Sequence, residues 1–479
     1  MAREPREFRT LDKDLSRVTN AERAVMQSAR PVFRLGVALI FMAAAALTAT
    51  GFFAGQPAIG IVAAGMAVAA YLALSIGAND VSNSLGPAVG AGAIGMTSGL
   101  ILVAAMEVLG AVLAGDAVTA TLTEGLVGST LGQGEATARM MLAALLAAGI
   151  WISLATWATA PVSTTHSVVG AIAGAGLATF GASAVNWPAM GMIATGWVAS
   201  PLVAGLLAAG LLAALRNRVM NRPDRVEAGR IWLPVLVALT MGMLGAVAAV
   251  STHLPGLPVI LAIGLVCAGA GWVHARLRID RLIDEESGER LAVKKLLGLP
   301  LAAAALVMGF AHGANDTANI AAPLTIMLES IAPGAKAPRG TLVLLVASIG
   351  IALGIVLFGR RLVHMVGSRI TRLNPARALC VSLATAVTVL GFSSFGLPVS
   401  TTHIAVGGVF GIGFYREWRD RKQAADEDLL PEEAPFPDEE RRRRHLVRRS
   451  HVRTILGAWL ITVPAAAWLA AMLVWIGRL

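Results

Sequence analysis

Residues 77–87 read Gly77-Ala78-Asn79-Asp80-Val81-Ser82-Asn83-Ser84-Leu85-Gly86-Pro87, and residues 313–323 read Gly313-Ala314-Asn315-Asp316-Thr317-Ala318-Asn319-Ile320-Ala321-Ala322-Pro323. The second copy follows the first at an offset of 236. A second motif pair, Pro161-Val162-Ser163-Thr164-Thr165-His166 and Pro398-Val399-Ser400-Thr401-Thr402-His403, recurs in the same order at an offset of 237. Two polar motifs repeated in register mark an internal duplication.

Both motif types are set in apolar chain. Of the 479 residues, 56% are hydrophobic and 14% charged, with a mean hydropathy of +0.70. A soluble domain carries about 25% charged residues and about 45–50% apolar ones. Aromatics supply only 5%, so Ala, Leu, Val, Ile and Met carry the hydrophobicity, beside 51 glycines. This excludes a soluble enzyme, a disordered chain and a nucleic-acid-binding domain, despite a net charge of +10. It indicates an integral membrane protein with small residues at its helix interfaces. Cys267 and Cys380 lie in apolar stretches and read as small hydrophobes rather than a disulfide. The first 30 residues are too charged for a signal peptide, so insertion without cleavage is expected.

Apolar segments fall at 31–53, 57–90, 97–114, 138–160, 164–182, 187–214, 231–251, 255–275, 297–330, 340–358, 377–396, 400–415 and 454–477. A spanning helix takes about 20 residues. The 57–90 and 297–330 runs are too long for one straight helix and 400–415 is too short, so broken helices or hairpins are expected there. The expected fold is an all-α polytopic membrane protein of twelve or thirteen spans. Five stretches (1–34, 215–230, 276–295, 359–377 and 416–453) hold 35 of the 39 Lys and Arg, and 79–138 holds none. Basic residues in short loops mark the cytoplasmic side, so all five are expected inside, and the +10 is a topology signal. Thirteen spans then place the N-terminus inside and the C-terminus outside. An odd number of spans between the two Gly-Ala-Asn-Asp helices makes the repeats inverted, the pattern of a secondary transporter.

The expected organisation is a basic cytoplasmic arm (1–30), a first transmembrane repeat (31–214), a connector with one span (215–254), the first part of a second repeat (255–415), a charged cytoplasmic loop (416–453) and a last transmembrane helix (454–479). That loop runs from acidic residues into Arg441–Arg444, which suit an anionic lipid surface.

A carboxylate in a membrane span costs about 2.5–3.5 kcal/mol on insertion scales and by default marks an ion or substrate path. A lone Asp could snorkel or cap a helix; Asp80 and Asp316 in matched Asn-Asp-x-x-Asn motifs leave that alternative little room. Asn79, Asp80 and Asn83, and likewise Asn315, Asp316 and Asn319, can place oxygens together on a helix face. Gly77 and Pro87 allow unwinding that frees carbonyls. Carboxylate, amide and carbonyl oxygens suit a hard cation, while a proton needs only the carboxylate.

Ser163, Thr164, Thr165, Ser400, Thr401 and Thr402 supply the complementary chemistry. Prolines 161 and 398 suit a first helical turn, where free N–H groups, hydroxyls and the helix dipole favour an anion. Ordinary capping is the competing explanation, and the duplication favours function. Neither motif holds Lys or Arg, so an anion beside two Asp needs cations bound with it. Cation-coupled anion uptake is expected, rather than a pore lined with Arg or Lys. Glu107 reads equally as a gating or coupling group and as a structural partner. His166 and His403 read as helix histidines before proton relays, and His312 precedes only the second motif. Gly170 and Gly174 form a close-packing pattern. No metal-ligand spacing and no catalytic nucleophile–base pair are present, so no enzyme activity and no cofactor beyond a coupling Na+ or H+ are expected.

The duplicated Gly-Ala-Asn-Asp-x-x-Asn and Pro-Val-Ser-Thr-Thr-His motifs resemble the signature of the inorganic phosphate transporter family, over residues 57–477. The resemblance implies a twelve-helix inverted-repeat fold, often a homodimer, that moves phosphate with Na+ or H+. It implies that Asp80 and Asp316 with their Asn neighbours bind cations and that the Ser-Thr-Thr triplets cradle phosphate. Glu107 resembles an acidic residue of some members. The chain departs from the family in its 31–53 extension, in the position of its long loop, and in Ser82 where many members have Ala. Some relatives move sulfate. The expectation is a multi-pass inner-membrane phosphate symporter, Na+ favoured over H+, in which the two halves rock about a midplane site; the rivals are another oxyanion permease and an anion channel.

Overall fold

The computed structural model describes residues 9–56, 58–126, 134–158, 160, 162–252, 254, 256–285, 293–331, 339–366, 374–426 and 449–477. Its helices are α1 (Arg9–Phe52), α2 (Ile59–Gly90), α3 (Met96–Ala114), α4 (Asp116–Gly125), α5 (Glu135–Trp157), α6 (Thr164–Phe180), α7 (Trp187–Leu215), α8 (Arg225–Ser251) and α9 (Leu257–Glu285). There follow α10 (Val293–Leu296), α11 (Gly298–Asp316), α12 (Ala318–Ile331), α13 (Arg339–Phe358), α14 (Arg360–Met365), α15 (Pro375–Ser394), α16 (Thr401–Asp426) and α17 (Arg449–Ile476). A π-helical turn, Arg216–Met220, extends α7. The described residues form helices and no strand, and ten of the helices are long and apolar enough to cross a membrane. The all-α polytopic fold is therefore as expected. Most of the 416–453 loop lies outside the described residues.

Each of the thirteen apolar segments carries a helix, but two of them are not simple crossings. Both α6 and α16 begin inside the protein. Thr165 Oγ1 donates to the Val399 carbonyl at 3.1 Å, Thr402 Oγ1 to the Val162 carbonyl at 3.5 Å, and the His166 and His403 rings lie 4.3 Å apart. Helices α5–α6 and α15–α16 are thus hairpins whose tips meet. The expectation of a hairpin at 400–415 holds. At 164–182 the helix is buried over thirteen successive residues, Thr164 to Gly176. Of the two over-long runs, 297–330 breaks at Thr317, whereas 57–90 stays one helix through Asp80. Gly77 is spent on close packing rather than unwinding: a Cβ there would lie 2.0 Å from the Ile351 carbonyl oxygen.

That contact recurs at its repeat. A Cβ on Gly313 would lie 2.0 Å from the Glu107 carbonyl oxygen; Gly354 abuts the Leu74 carbonyl as Gly110 abuts that of Phe310. Helix α2 therefore packs on α13 as α11 packs on α3. In the hairpins, Gly170 and Gly174 press on the α17 backbone at Val463 and Ala467, while Gly407 and Gly411 press on α7 at Pro201 and Gly205. Small residues let helix backbones approach closely where lipid removes the hydrophobic drive. Each pairing joins an element before residue 215 to one after residue 297. One buried apolar core combines α2, α5 and α6 with α12, α13 and α17, and the others combine α11, α15 and α16 with α7. The packing units are mixtures of the two sequence halves. Helix α9 packs on α8 and exposes Leu261, Leu265 and Val266, as a lipid-facing surface would.

Candidate functional site

Asp80 and Asp316 are both 0% exposed, a placement that an unpartnered carboxylate would not tolerate. Their partners come crosswise. Thr164 and Thr165, from the first hairpin, each donate to Asp316 Oδ1 at 3.3 Å. Thr402, from the second hairpin, donates to Asp80 Oδ1 at 3.4 Å. Asn319 Nδ2 lies 2.6 Å from Asp316 Oδ1, and Asn83 Nδ2 lies 3.4 Å from Asp80 Oδ1 and 2.9 Å from the Thr402 hydroxyl. Each Asp motif thus meets the helix start contributed by the other half.

The structure separates the two asparagines of each motif. Adjacent helical positions point to different faces, and Asn79 and Asn315 hold the hairpins. Asn79 Nδ2 donates to Thr156 near the end of α5 at 2.7 Å. Asn315 donates to the Val399 carbonyl at 2.7 Å and accepts from the Val399 N–H at 3.2 Å and from Ser393 at 3.3 Å. The second Asn of each motif lies against its carboxylate, and the first also ties a hairpin tip.

The serines also differ from the Thr residues. Ser163 and Ser400 cap their helices, accepting from His166 N–H at 3.1 Å and His403 N–H at 3.3 Å. Pro398 precedes the helix instead of sitting in its first turn; Pro161 lies outside the described residues. Thr401 is buried beside Thr402.

Sequence reasoning missed the centre of the site. His312 is fully buried, with Nε2 3.0 Å from Asp316 Oδ2 and 3.6 Å from Asp80 Oδ2, and Nδ1 2.8 Å from Glu107 Oε1. One imidazole bridges three carboxylates. One donor atom each from Asp80, His312 and Asp316 lies within 4.8 Å of the others, a set able to hold a small cation. Asn319 Oδ1 is buried with no hydrogen-bond partner, a further free oxygen at the same place. The packing repeat identifies what stands opposite. Ile351 faces Gly77 as Glu107 faces Gly313, and Ile76 occupies the place before Gly77 that His312 occupies before Gly313. The contact at Gly77 therefore carries a buried Ile76 and Ile351 where the contact at Gly313 carries an ionisable pair, His312 and Glu107. The imidazole and Glu107 had no signal in the duplication because they break it.

A multi-pass membrane protein with paired buried carboxylates between two hairpin tips is a transporter by architecture. Residues 76–470 match the family model described as the phosphate transporter family, and the chain belongs to that family. It is 32% identical to a Helicobacter pylori (strain J99) protein named "Putative phosphate permease", covering 96% of this chain and 98% of that one. It is 31% identical to "Inorganic phosphate transporter 2-1, chloroplastic" of Arabidopsis thaliana, over 85% of this chain and 70% of that one. A solved structure titled "The sodium-dependent phosphate transporter" superposes with a TM-score of 0.76 at 30% identity, covering 88% of this chain and 99% of the other.

Proposed function

We propose that this chain is a Na+-coupled symporter of inorganic phosphate, with Na+ favoured over H+ as the coupling ion. The observation that carries this is the crosswise site, in which each buried Asp is held by hydroxyls of the opposite hairpin tip. Two carboxylates repel a phosphate dianion unless cations neutralise them, so cations and anion must occupy the site together. Asp80 with Asn83, and Asp316 with Asn319, offer carboxylate and amide oxygens for hard cations. The helix starts at Thr164, Thr165, Thr401 and Thr402 offer hydroxyls and N–H groups to the phosphate, with Ser163 and Ser400 shaping those starts as caps. Asn79 and Asn315 set the hairpin tips and so act through position. Glu107 tethers His312, which holds the two Asp together while the site is empty and gives them up to the cations when it fills. Support for Na+ comes from the similar structure's title and from the unpartnered Asn319 oxygen, which a proton would not need.

Alternating access follows from the packing. The duplicated halves, 31–214 and 255–477 with the connector 215–254 between them, are inverted repeats in this account, as the recurrence of the glycine contacts supports. They are intertwined, so the units that move are the two mixed bundles, each carrying one hairpin. Accumulation of labelled phosphate in proteoliposomes, under an imposed Na+ or H+ gradient and with excess sulfate as competitor, tests the assignment. The expected result is accumulation driven by Na+ and blocked by unlabelled phosphate more than by sulfate. Uptake indifferent to both gradients sinks the symport, and stronger block by sulfate sinks the substrate.

A further inference from the structure

Three of the five basic stretches converge far from the polar centre. Arg216 and Arg225, at the junction of α7 and α8, meet Arg377 at the start of α15 and Arg416 and Arg419 on α16 around a cavity of about 290 Å3. Among the described residues no acidic side chain lines it. Two nearby acids are engaged: Asp224 caps α8 through the Glu227 N–H at 3.0 Å, and Asp420 takes one edge of Arg419 at 3.0 Å. The remaining Arg419 nitrogens, Nε and Nη1, are buried without a hydrogen-bond partner. Arg377 is half-buried and close enough to Arg416 to feel its charge.

Like charges gathered at a partly desolvated place repel one another unless an anion sits between them. Guanidinium forks pair bidentately with phosphate oxygens, which distinguishes such a site from one built of lysines. The cavity is at the low end of small-ligand pockets, about 300–1,000 Å3, and has room for a phosphate group. Basic pockets between membrane helices at the cytoplasmic face suit anionic headgroups, and the basic stretches place this one on that face. We propose that this cavity is a second binding site, for a phosphate group presented either by an anionic phospholipid or as the free ion.

The position gives the site a consequence. Helix α16 starts at Thr401 in the polar centre, packs on α7 through Gly205, Gly407 and Gly411, and ends at the cavity. A phosphate group bound to Arg216, Arg377 and Arg416 fastens the far end of the α15–α16 hairpin to α7, and so restrains the bundle that carries the hairpin.

The test uses the purified full-length protein in neutral detergent. It is titrated with dioctanoyl phosphatidic acid, with dioctanoyl phosphatidylcholine, and with inorganic phosphate in an Asp80→Asn/Asp316→Asn background that silences the polar centre. One-to-one adducts are read by native mass spectrometry. The expected result is saturable binding of phosphatidic acid or of phosphate, weakened by about tenfold or more in Arg377→Gln/Arg416→Gln, with none for phosphatidylcholine. Which of the two binds identifies the source. A second measurement needs no cavity variant: the bound anion should protect Arg377 and Arg416 from phenylglyoxal, read by peptide mass spectrometry. Absence of binding by both anions, equal binding of phosphatidylcholine, or binding without protection overturns the proposal.

Discussion

Asp80 and Asp316 are matched in sequence and in burial, yet His312 sits 3.0 Å from one and 3.6 Å from the other, so the two are not equivalent. Asp80→Asn and Asp316→Asn each keep the side chain's shape and remove the charge that a cation requires. Each should abolish phosphate uptake in proteoliposomes while membrane insertion, read by immunoblot of the membrane fraction, stays normal; transport in either variant would refute the assignment. His312→Gln leaves Glu107 facing two Asp without the bridging imidazole. Uptake should fall by about tenfold or more, the scale of breaking a buried charged network, and Glu107→Gln added to it should recover part of the loss, since residues of one network couple non-additively. Additive losses would show that the pair is not coupled. At this scale the sequence was legible where it repeats. The Asp and Thr positions come in duplicate, whereas Glu107 and His312 face Ile351 and Ile76 across the repeat, and only the packing brings them together.

Helix pairing depends on backbone contact at a few glycines. A Cβ on Gly174 would lie 2.1 Å from the Ala467 carbonyl oxygen, a backbone atom that cannot step aside, while a Cβ on Gly191 would meet no neighbouring atom within 4 Å. Gly174→Ala should therefore lower stability by about 1–3 kcal/mol, seen as a reduced thermal midpoint of the detergent-solubilised protein, with Gly191→Ala unchanged. Equal midpoints would deny the close α6–α17 approach. The small-residue spacing at Gly170 and Gly174 was visible in the sequence; the partner helix was not, because nothing in an apolar run says which neighbour it meets. The Gly and Pro of α2 allowed a break that the helix does not make, while the matching run, with the same close approach at Gly313, breaks at Thr317.

For the molecule as a whole, the charge distribution predicts the orientation and the glycine contacts show which helices pack together. The basic stretches predict that a cysteine at Arg222, on the exposed turn after α7, reacts with an impermeant maleimide only from the cytoplasmic side, in a background with Cys267 and Cys380 replaced by alanine. Labelling from outside intact cells would invert the topology. The duplication and its helical content were legible from end to end of the chain. The intertwining was not, since it depends on long-range choices that similar helices leave open: α2 with α13 rather than α3, α6 with α17 rather than α7. Under the proposed function each hairpin tip brings hydroxyls to the other half's carboxylate so that cation and phosphate share one site, and each is then expected to strengthen the other's binding by the same factor. Calorimetric titration of phosphate into the purified protein, once in Na+ and once in N-methylglucamine at equal ionic strength, tests this directly. The account predicts binding in Na+ that weakens by about tenfold or more without it and vanishes in Asp80→Asn/Asp316→Asn; equal affinity in the two cations would contradict it.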